Sequence, residues 1–363
     1  MRIVVTGLSG NLGTALLRRL FTATGTTAPV GAGDHEVVGV CRRPPSGEPY
    51  QLAEWVGLDL ASDEAQTRLW EVFQGADAVV HLAWDFQPSH RVEYLHKVAV
   101  EGTRAVLAAA DAAGVPHLVH LSSLGAYSPG PKDRAVDESW PTEGIDSLAY
   151  SIEKVAAERL LDDDEAGSGR MLITRIRPAL VVQGDAGSAI LRYGTPAFLP
   201  GQALALLKLL PVDRDLVIQA VHSDDVADAL VRVLDQRAGG AFNLAADPPL
   251  TRDRIAEALG ARPVHLPRQV LRTATALGWR THLQPLDPGW IDLAFAVPLL
   301  DSGRARRELG WEPRYDAVTA LAELIAGMRE QRGTASPVLR PRSVLKDLAR
   351  SVSRGPVAQR RLP

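Results

Sequence analysis

A single cysteine, Cys41, stands in 363 residues. That excludes an intrachain disulfide and fits a reducing compartment. The nine histidines include no His-Glu-x-x-His spacing and no Cys/His cluster, so no structural or catalytic metal is expected. No uninterrupted apolar run approaches the length that spans a bilayer. The first residues also lack the basic and apolar regions of a signal peptide. The expectation is a cytoplasmic protein with no integral membrane span. A net positive balance marks the end of the chain. Residues 331–363 hold eight Lys/Arg against one Asp; with an overall net charge of −3, the first 330 residues sum to −10. An acidic body argues against nucleic acid as the main partner. Apolar residues are not scarce: at 46%, with 23% charged, they suffice for one large domain or one and a half.

The most informative stretch is the first one. Ile3, Val4 and Val5 form a short β-branched run suited to a buried parallel strand. Gly7, Gly10 and Gly13 follow at three-residue intervals, enclosing Asn11 and Leu12, and Thr14 to Leu20 then has the pattern of an amphipathic helix. A strand, glycine turn and helix of this kind aim backbone N–H groups and the positive end of a helix dipole at one point, which suits a pyrophosphate.

Preceded by Thr6, the spacing Gly-x-x-Gly-x-x-Gly resembles that of the short-chain dehydrogenase/reductase superfamily, and in particular its extended branch of epimerases, dehydratases and hydroxysteroid dehydrogenases. The resemblance implies a doubly wound parallel α/β sheet of Rossmann type with a small C-terminal substrate cap. It covers residues 1 to about 328. The expected division is a dinucleotide-binding core over 1–184, a cap interleaved with late core elements over 185–330, and a basic, disordered tail over 331–363. Within that tail Ser343–Val352 has the pattern of a short basic amphipathic helix.

Further matches follow along the chain. The second strand, Glu36–Cys41, runs into Arg42-Arg43, where such folds place the adenine ribose. An acidic residue there would favour a free 2′-hydroxyl. Cys41 followed by two guanidinium groups instead favours a 2′-phosphate, hence NADP over NAD. Asp59-Leu60, after a third strand, resembles the family's pair at the adenine, with Ser62 and Asp63 left to cap the next helix. Ala78–Ala83 resembles the fourth strand and its turn, in which Leu82 and small Ala83 admit the cofactor, and His81 reads as a strand histidine. One long helix is expected over 91–113. Within it, Ala99 stands where many members carry asparagine, leaving backbone or water to hold the lysine that the asparagine supports.

The chemistry is expected at Ser123, Tyr150 and Lys154. Ser123 lies four residues before Tyr127, at the end of the fifth strand, and Ser122 is its neighbour. Tyr150 and Lys154, at i and i+4, share a helix face. A phenol titrating near 10 needs a nearby ammonium to work as a base near neutrality. The resemblance implies that Tyr150 moves the proton, Lys154 tunes it and holds the nicotinamide ribose, and Ser123 orients the substrate oxygen. Arg177-Pro178 resembles the segment over the nicotinamide. Leu180 replaces the asparagine that nucleotide-sugar members use, and Leu124-Gly125 replaces the Asp-Glu of 4,6-dehydratases. The apolar stretch 203–210 is expected to line the cap, and His222 to Asp225 to be structural.

The reading is an NAD(P)-dependent oxidoreductase of an alcohol/carbonyl pair on a small organic molecule. The alternatives are a nucleotide-sugar epimerase or reductase, or a nucleotide-binding regulatory protein without turnover. Long helices at 91–113 and 149–161 imply a homodimer by the same resemblance.

Overall fold

The computed structural model describes residues 1–21, 35–84, 92–167, 169–194, 201–281, 283–284 and 286–342. Residues 22–34, small and polar and read from sequence as a long surface loop, and the expected basic helix at 343–352 lie outside the described residues.

Strand β1 (Arg2–Thr6) sits inside a seven-stranded parallel sheet. Side chains alternate along it, so Ile3 and Val5 enter the core on one face and Val4 the core on the other. With both faces covered, the strand is a continuous apolar run, as parallel sheets require. Its neighbours are β2 (Glu36–Cys41) and β4 (Ala78–His81); β3 (Glu54–Gly57) lies beyond β2, and β5 (His117–Leu121) beyond β4. Outside β5 come strands Leu172–Pro178 and Gly240–Leu244. The direction of winding reverses between β1 and β4, the place where open α/β sheets open a crevice at their carboxyl ends.

Helix α1 (Asn11–Phe21) packs with helix Ser223–Gln236 over the Ile3/Val5 face. Helices α2 (Ala65–Phe73) and α4 (Gly102–Ala113) pack over the Val4 face. The expected single helix at 91–113 is interrupted: α3 (Val92–His96) passes through a π-helical turn, Lys97–Glu101, before α4 begins. Such turns displace side chains from the α-helical face and are frequent at functional sites. Helix α5 (Ala149–Gly167) is longer than expected and carries Tyr150 and Lys154.

Past residue 184 the chain alternates between the main sheet and an outer layer. A three-stranded sheet, Leu180–Val182, Val217–His222 and Ala246–Thr251, packs under helix Ala317–Glu330. His222 accepts a hydrogen bond from Asp224 N at the start of its helix, and the Asp225 carboxylate accepts from Arg314 N (2.9 Å) and Tyr315 N (3.1 Å). The fully buried Trp311 donates through Nε1 to Asp225 O, so this pair of segments is a structural clasp.

The tail departs from expectation. Residues 331–342 are folded against the body, with Leu339 1% exposed. Ser336 Oγ donates to Ser9 O (2.6 Å) in the glycine turn, and Thr334 Oγ1 shares a hydrogen bond with Tyr50 OH (2.6 Å). Short hydroxyl side chains, which in composition suggest disorder, here fix the backbone path: Ser336 N donates to Thr334 Oγ1 and Val338 N to Ser336 Oγ.

Candidate active site

The glycine turn has the geometry its spacing implies. Gly7 holds φ at +76°, and a Cβ there would lie 2.6 Å from Ala83 N. Only glycine fits such a position. Gly10 N donates to Gly7 O, and the helix begins at Asn11, three residues earlier than its apolar pattern suggests. Gly13 is already inside α1, where a Cβ would lie 2.4 Å from Leu8 O; its absence lets helix and strand end meet.

From this turn a cleft of about 480 Å³ runs across the carboxyl ends of the strands. That volume is in the range of small-molecule sites. Gly7, Gly10, Asn11, Leu12, Gly13, Arg42, Asp59, Leu60, Leu82, Ala83, Ser123, Tyr150, Lys154 and Pro178 all line it, so the residues singled out from sequence are brought together.

At one end Arg42 Nη1 donates to Tyr94 OH (2.5 Å), and Tyr94 OH donates to Asp59 Oδ2 (3.1 Å). Asp59 also accepts from Ala61 N (3.1 Å), closing a turn. The cap expectation for α2 needs correction: the helix starts at Ala65 with Glu64 in the cap position and no side-chain cap bond, while Ser62 contributes only its backbone carbonyl to Ala65 N. Tyr94 was missed because it reaches this site from α3, 35 positions after Asp59. The π turn places Val98 in the same wall.

At the other end Ser123 opens a short 3-10 turn after β5, its Oγ accepting from Gly125 N (2.9 Å). The hydroxyls of Ser123 and Tyr150 share a hydrogen bond. Burial pushes the Tyr150 phenol up to about 12, with the Ser123 bond opposing and the Glu153 charge reinforcing the rise. Lys154 Nζ donates to Leu121 O (2.8 Å) at the end of β5. Backbone therefore holds this lysine in a chain with Ala99 in the asparagine position. Burial pulls Lys154 down to about 7, with the carboxylates of Glu158 and Glu153 opposing. Its ammonium lies over the Trp84 ring, 3.3 Å from the centroid. Trp84 meets Tyr150 edge-on (6.2 Å), and Trp290 covers the other side of the phenol (5.1 Å).

Behind the serine turn lies a buried polar support. Glu158, one helical turn beyond Lys154, accepts from Ser122 Oγ (2.5 Å) and from Arg177 through Nε (2.8 Å) and Nη2 (2.7 Å). Burial alone would raise the Glu158 carboxyl, but the bonds and charge of Arg177 hold it below the usual carboxylate range. Arg177 also donates to Tyr127 OH (3.0 Å), which donates to Asn243 Oδ1 (2.7 Å). His81 bridges Thr6 (2.6 Å) and Thr103 (3.0 Å) through its two ring nitrogens, as a strand histidine.

Beyond Tyr150 the cleft wall is apolar, formed by Leu180, Ile190, Ile218, Trp290, Leu293 and Val297. The stretch 203–210, expected to line it, does not: Leu206 and Leu209 are 76% and 54% exposed. Apolar composition did not distinguish an outward-facing segment from a lining one. Pro337, Val338 and Leu339 of the folded tail complete the wall near the glycine turn. Among the described residues no helix is long and apolar enough to cross a membrane, and no three His, Cys, Asp or Glu side chains group as a metal site.

Several known proteins are similar to this chain in sequence or in fold. Over 336 residues, 92% of this chain, it is 28% identical to an uncharacterised Mycobacterium tuberculosis protein, of whose length it spans only 31%. It is 26% identical over 333 residues to a 4-hydroxy-2-methyl-3-oxo-4-farnesyl-3,4-dihydroquinoline-1-oxide ketoreductase of Stigmatella aurantiaca, covering 86% of this chain and 92% of that protein. The fold is similar to that of the UDP-glucose 4-epimerase of Thermus thermophilus, solved as a complex with NAD, at a TM-score of 0.66 and 22% identity over 91% of this chain and 99% of the other. The sequence profile of the NAD dependent epimerase/dehydratase family matches residues 3–245. The protein belongs to that family.

Proposed function

We propose that the protein is an NAD(P)-dependent oxidoreductase that reduces the carbonyl of an apolar organic molecule, or oxidises the matching alcohol. The observation that carries this reading is the convergence of Ser123, Tyr150 and Lys154 on the cleft that starts at the glycine turn. The missing Cβ atoms of Gly7 and Gly13 leave the close approach that a pyrophosphate needs. Gly7, Gly10, Asn11, Leu12 and Gly13 would hold that pyrophosphate, with Leu82, Ala83 and Pro178 along the rest of the dinucleotide. Asp59 and Leu60 would take the adenine. Arg42 and Arg43, after Cys41, favour NADP.

A bound nicotinamide supplies or accepts the hydride. Tyr150 then exchanges a proton with the substrate oxygen, Ser123 donates a hydrogen bond to that oxygen, and Lys154 supports the phenol and the ribose. A phenol raised to about 12 is a proton donor at neutral pH, the role that carbonyl reduction asks of it. The apolar wall and Leu180 disfavour a sugar diphosphate, and the ketoreductase relative points the same way. The elements beyond residue 184 that form this wall would act as the substrate cap. We place the protein in the cytoplasm, as a homodimer through α3–α5, where Val92 and Ile152 are each 51% exposed.

The test begins with quenching of tryptophan fluorescence by NADPH and by NADH. Absorbance of the reduced nicotinamide is then followed over a panel of apolar aldehydes and ketones. Net oxidation of NADPH supports the reading. Turnover of a UDP-sugar with no net change in the cofactor would favour epimerisation, and binding of neither cofactor would end both.

A further inference from the structure

Among the described residues, the apolar end of the cleft contains one cation. Lys132 lies in the segment between the serine turn and the short strand Ala135–Val136, is half-buried, and lines the cleft. Its ammonium donates to two backbone carbonyls, Val217 O (2.9 Å) and Ala294 O (3.0 Å). A lysine ammonium has three donors, so one remains after these two. No carboxylate among the described residues forms an ion pair with it. Burial pulls it down to about 8, and no charged neighbour among the described residues offsets that.

The segment is fixed in place. Gly130 N donates to Ala296 O (2.9 Å), and Leu299 N donates to Pro131 O (3.3 Å). A cation near the last turn of helix Gly289–Ala296 is favourable in itself. That accounts for the carbonyl contacts but not for an uncompensated charge placed against an apolar cleft, where desolvation is costly.

We infer that Lys132 receives an anionic group of the substrate, which would make the substrate an oxo- or hydroxycarboxylic acid with an apolar spacer. Ala294 lies four residues after Trp290, roughly 6 Å along the helix, and Trp290 covers Tyr150. A carbonyl at Ser123 and Tyr150 would thus have its carboxylate several carbons away, with the spacer against Leu293 and Ile218. The carboxylate would complete the third ammonium bond and neutralise the buried charge. This inference rests on the proposed function for the position of the carbonyl, but not for the binding of the anion.

The experiment uses the full chain with saturating NADP⁺ and titrates octanoate and octanol, reading the change in total tryptophan fluorescence, to which Trp84 and Trp290 in the cleft contribute. Octanoate is expected to bind at least tenfold more tightly than octanol. Lys132→Met is expected to lose that preference while still binding octanol, and Lys132→Arg to keep it. Equal binding of the two probes by the native protein overturns the inference, as does a preference that survives in Lys132→Met. Loss of both probes in Lys132→Met also overturns it, by showing that the lysine only fastens the helix end. A protein that reduces uncharged ketones yet has no octanoate preference refutes this inference alone. One that prefers octanoate but turns over no carbonyl refutes the proposed function alone.

Discussion

Lys154 presses its ammonium onto the face of Trp84, 3.3 Å from the ring centroid, while donating to Leu121 O. A cation so placed gains from the ring quadrupole, but it has given up water to do so. Its ordinary value of 10.5 falls to about 7, chiefly through burial. Between about pH 7 and 10 the unfolded chain therefore holds a proton that the folded chain has released, and folding gains stability as pH rises. Lys132, pulled down to about 8 by burial, acts in the same sense. Lys154→Met removes one such penalty. Its melting temperature relative to the native protein should be most favourable at pH 6 to 7 and lose that advantage toward pH 10, as measured by calorimetry across the range. A difference that does not change with pH would show that Lys154 is not desolvated.

Tyr150→Phe keeps the ring between Trp84 and Trp290 and deletes only the hydroxyl. If that hydroxyl transfers the proton, turnover should fall by about 10²–10⁴. Cofactor binding, read by tryptophan quenching, should change little. Retained turnover would remove Tyr150 from the reaction.

Arg42 faces the cleft at the end of β2, already turned toward Tyr94 and Asp59. Arg42→Ala should weaken NADPH binding by roughly 10- to 100-fold, the worth of a charge-assisted hydrogen bond. NADH binding should be nearly unaffected. Equal losses for the two cofactors would show that Arg42 only orders Tyr94.

Glu158 is 2% exposed and carries the Arg177 fork together with the Ser122 hydroxyl. Glu158→Ala leaves a buried guanidinium without its partner and should cost about 3–5 kcal/mol of stability, read by denaturant unfolding. Because Ser122 adjoins Ser123, residual activity in the folded fraction should fall as well. A stability change below about 1 kcal/mol would mean that Arg177 finds other partners.

The parts of this molecule visible in its sequence were those set by local chemistry. Three glycines within seven residues define a turn, and Tyr150 and Lys154 at i and i+4 must share a helix face. Short β-branched runs such as Ile3–Val5 marked single strands, and the parallel sheet was implied by the resemblance to the short-chain dehydrogenase/reductase superfamily. Side chains arriving from elsewhere in the chain left no such mark. Trp84 and Trp290 flank one phenol from positions 206 residues apart. Glu158 was within reach, since it lies one turn beyond Lys154, but a charged helix residue usually faces solvent, and only the fold brings Arg177 and Ser122 beside it to draw it inward. The π turn at Lys97–Glu101 has no proline or glycine break within it to announce it.

The bond from Ser336 to Ser9 joins positions 327 residues apart, and Pro337 to Leu339 form part of the wall over the glycine turn. These residues lie well past residue 245, where the match to the family profile stops. During synthesis, then, the sheet and its glycine turn emerge long before the groove beside them has its last side. If the groove takes a dinucleotide as proposed, the chain must be made past Leu339 before that groove has its full wall, and a premature stop just short of that residue would remove part of one side.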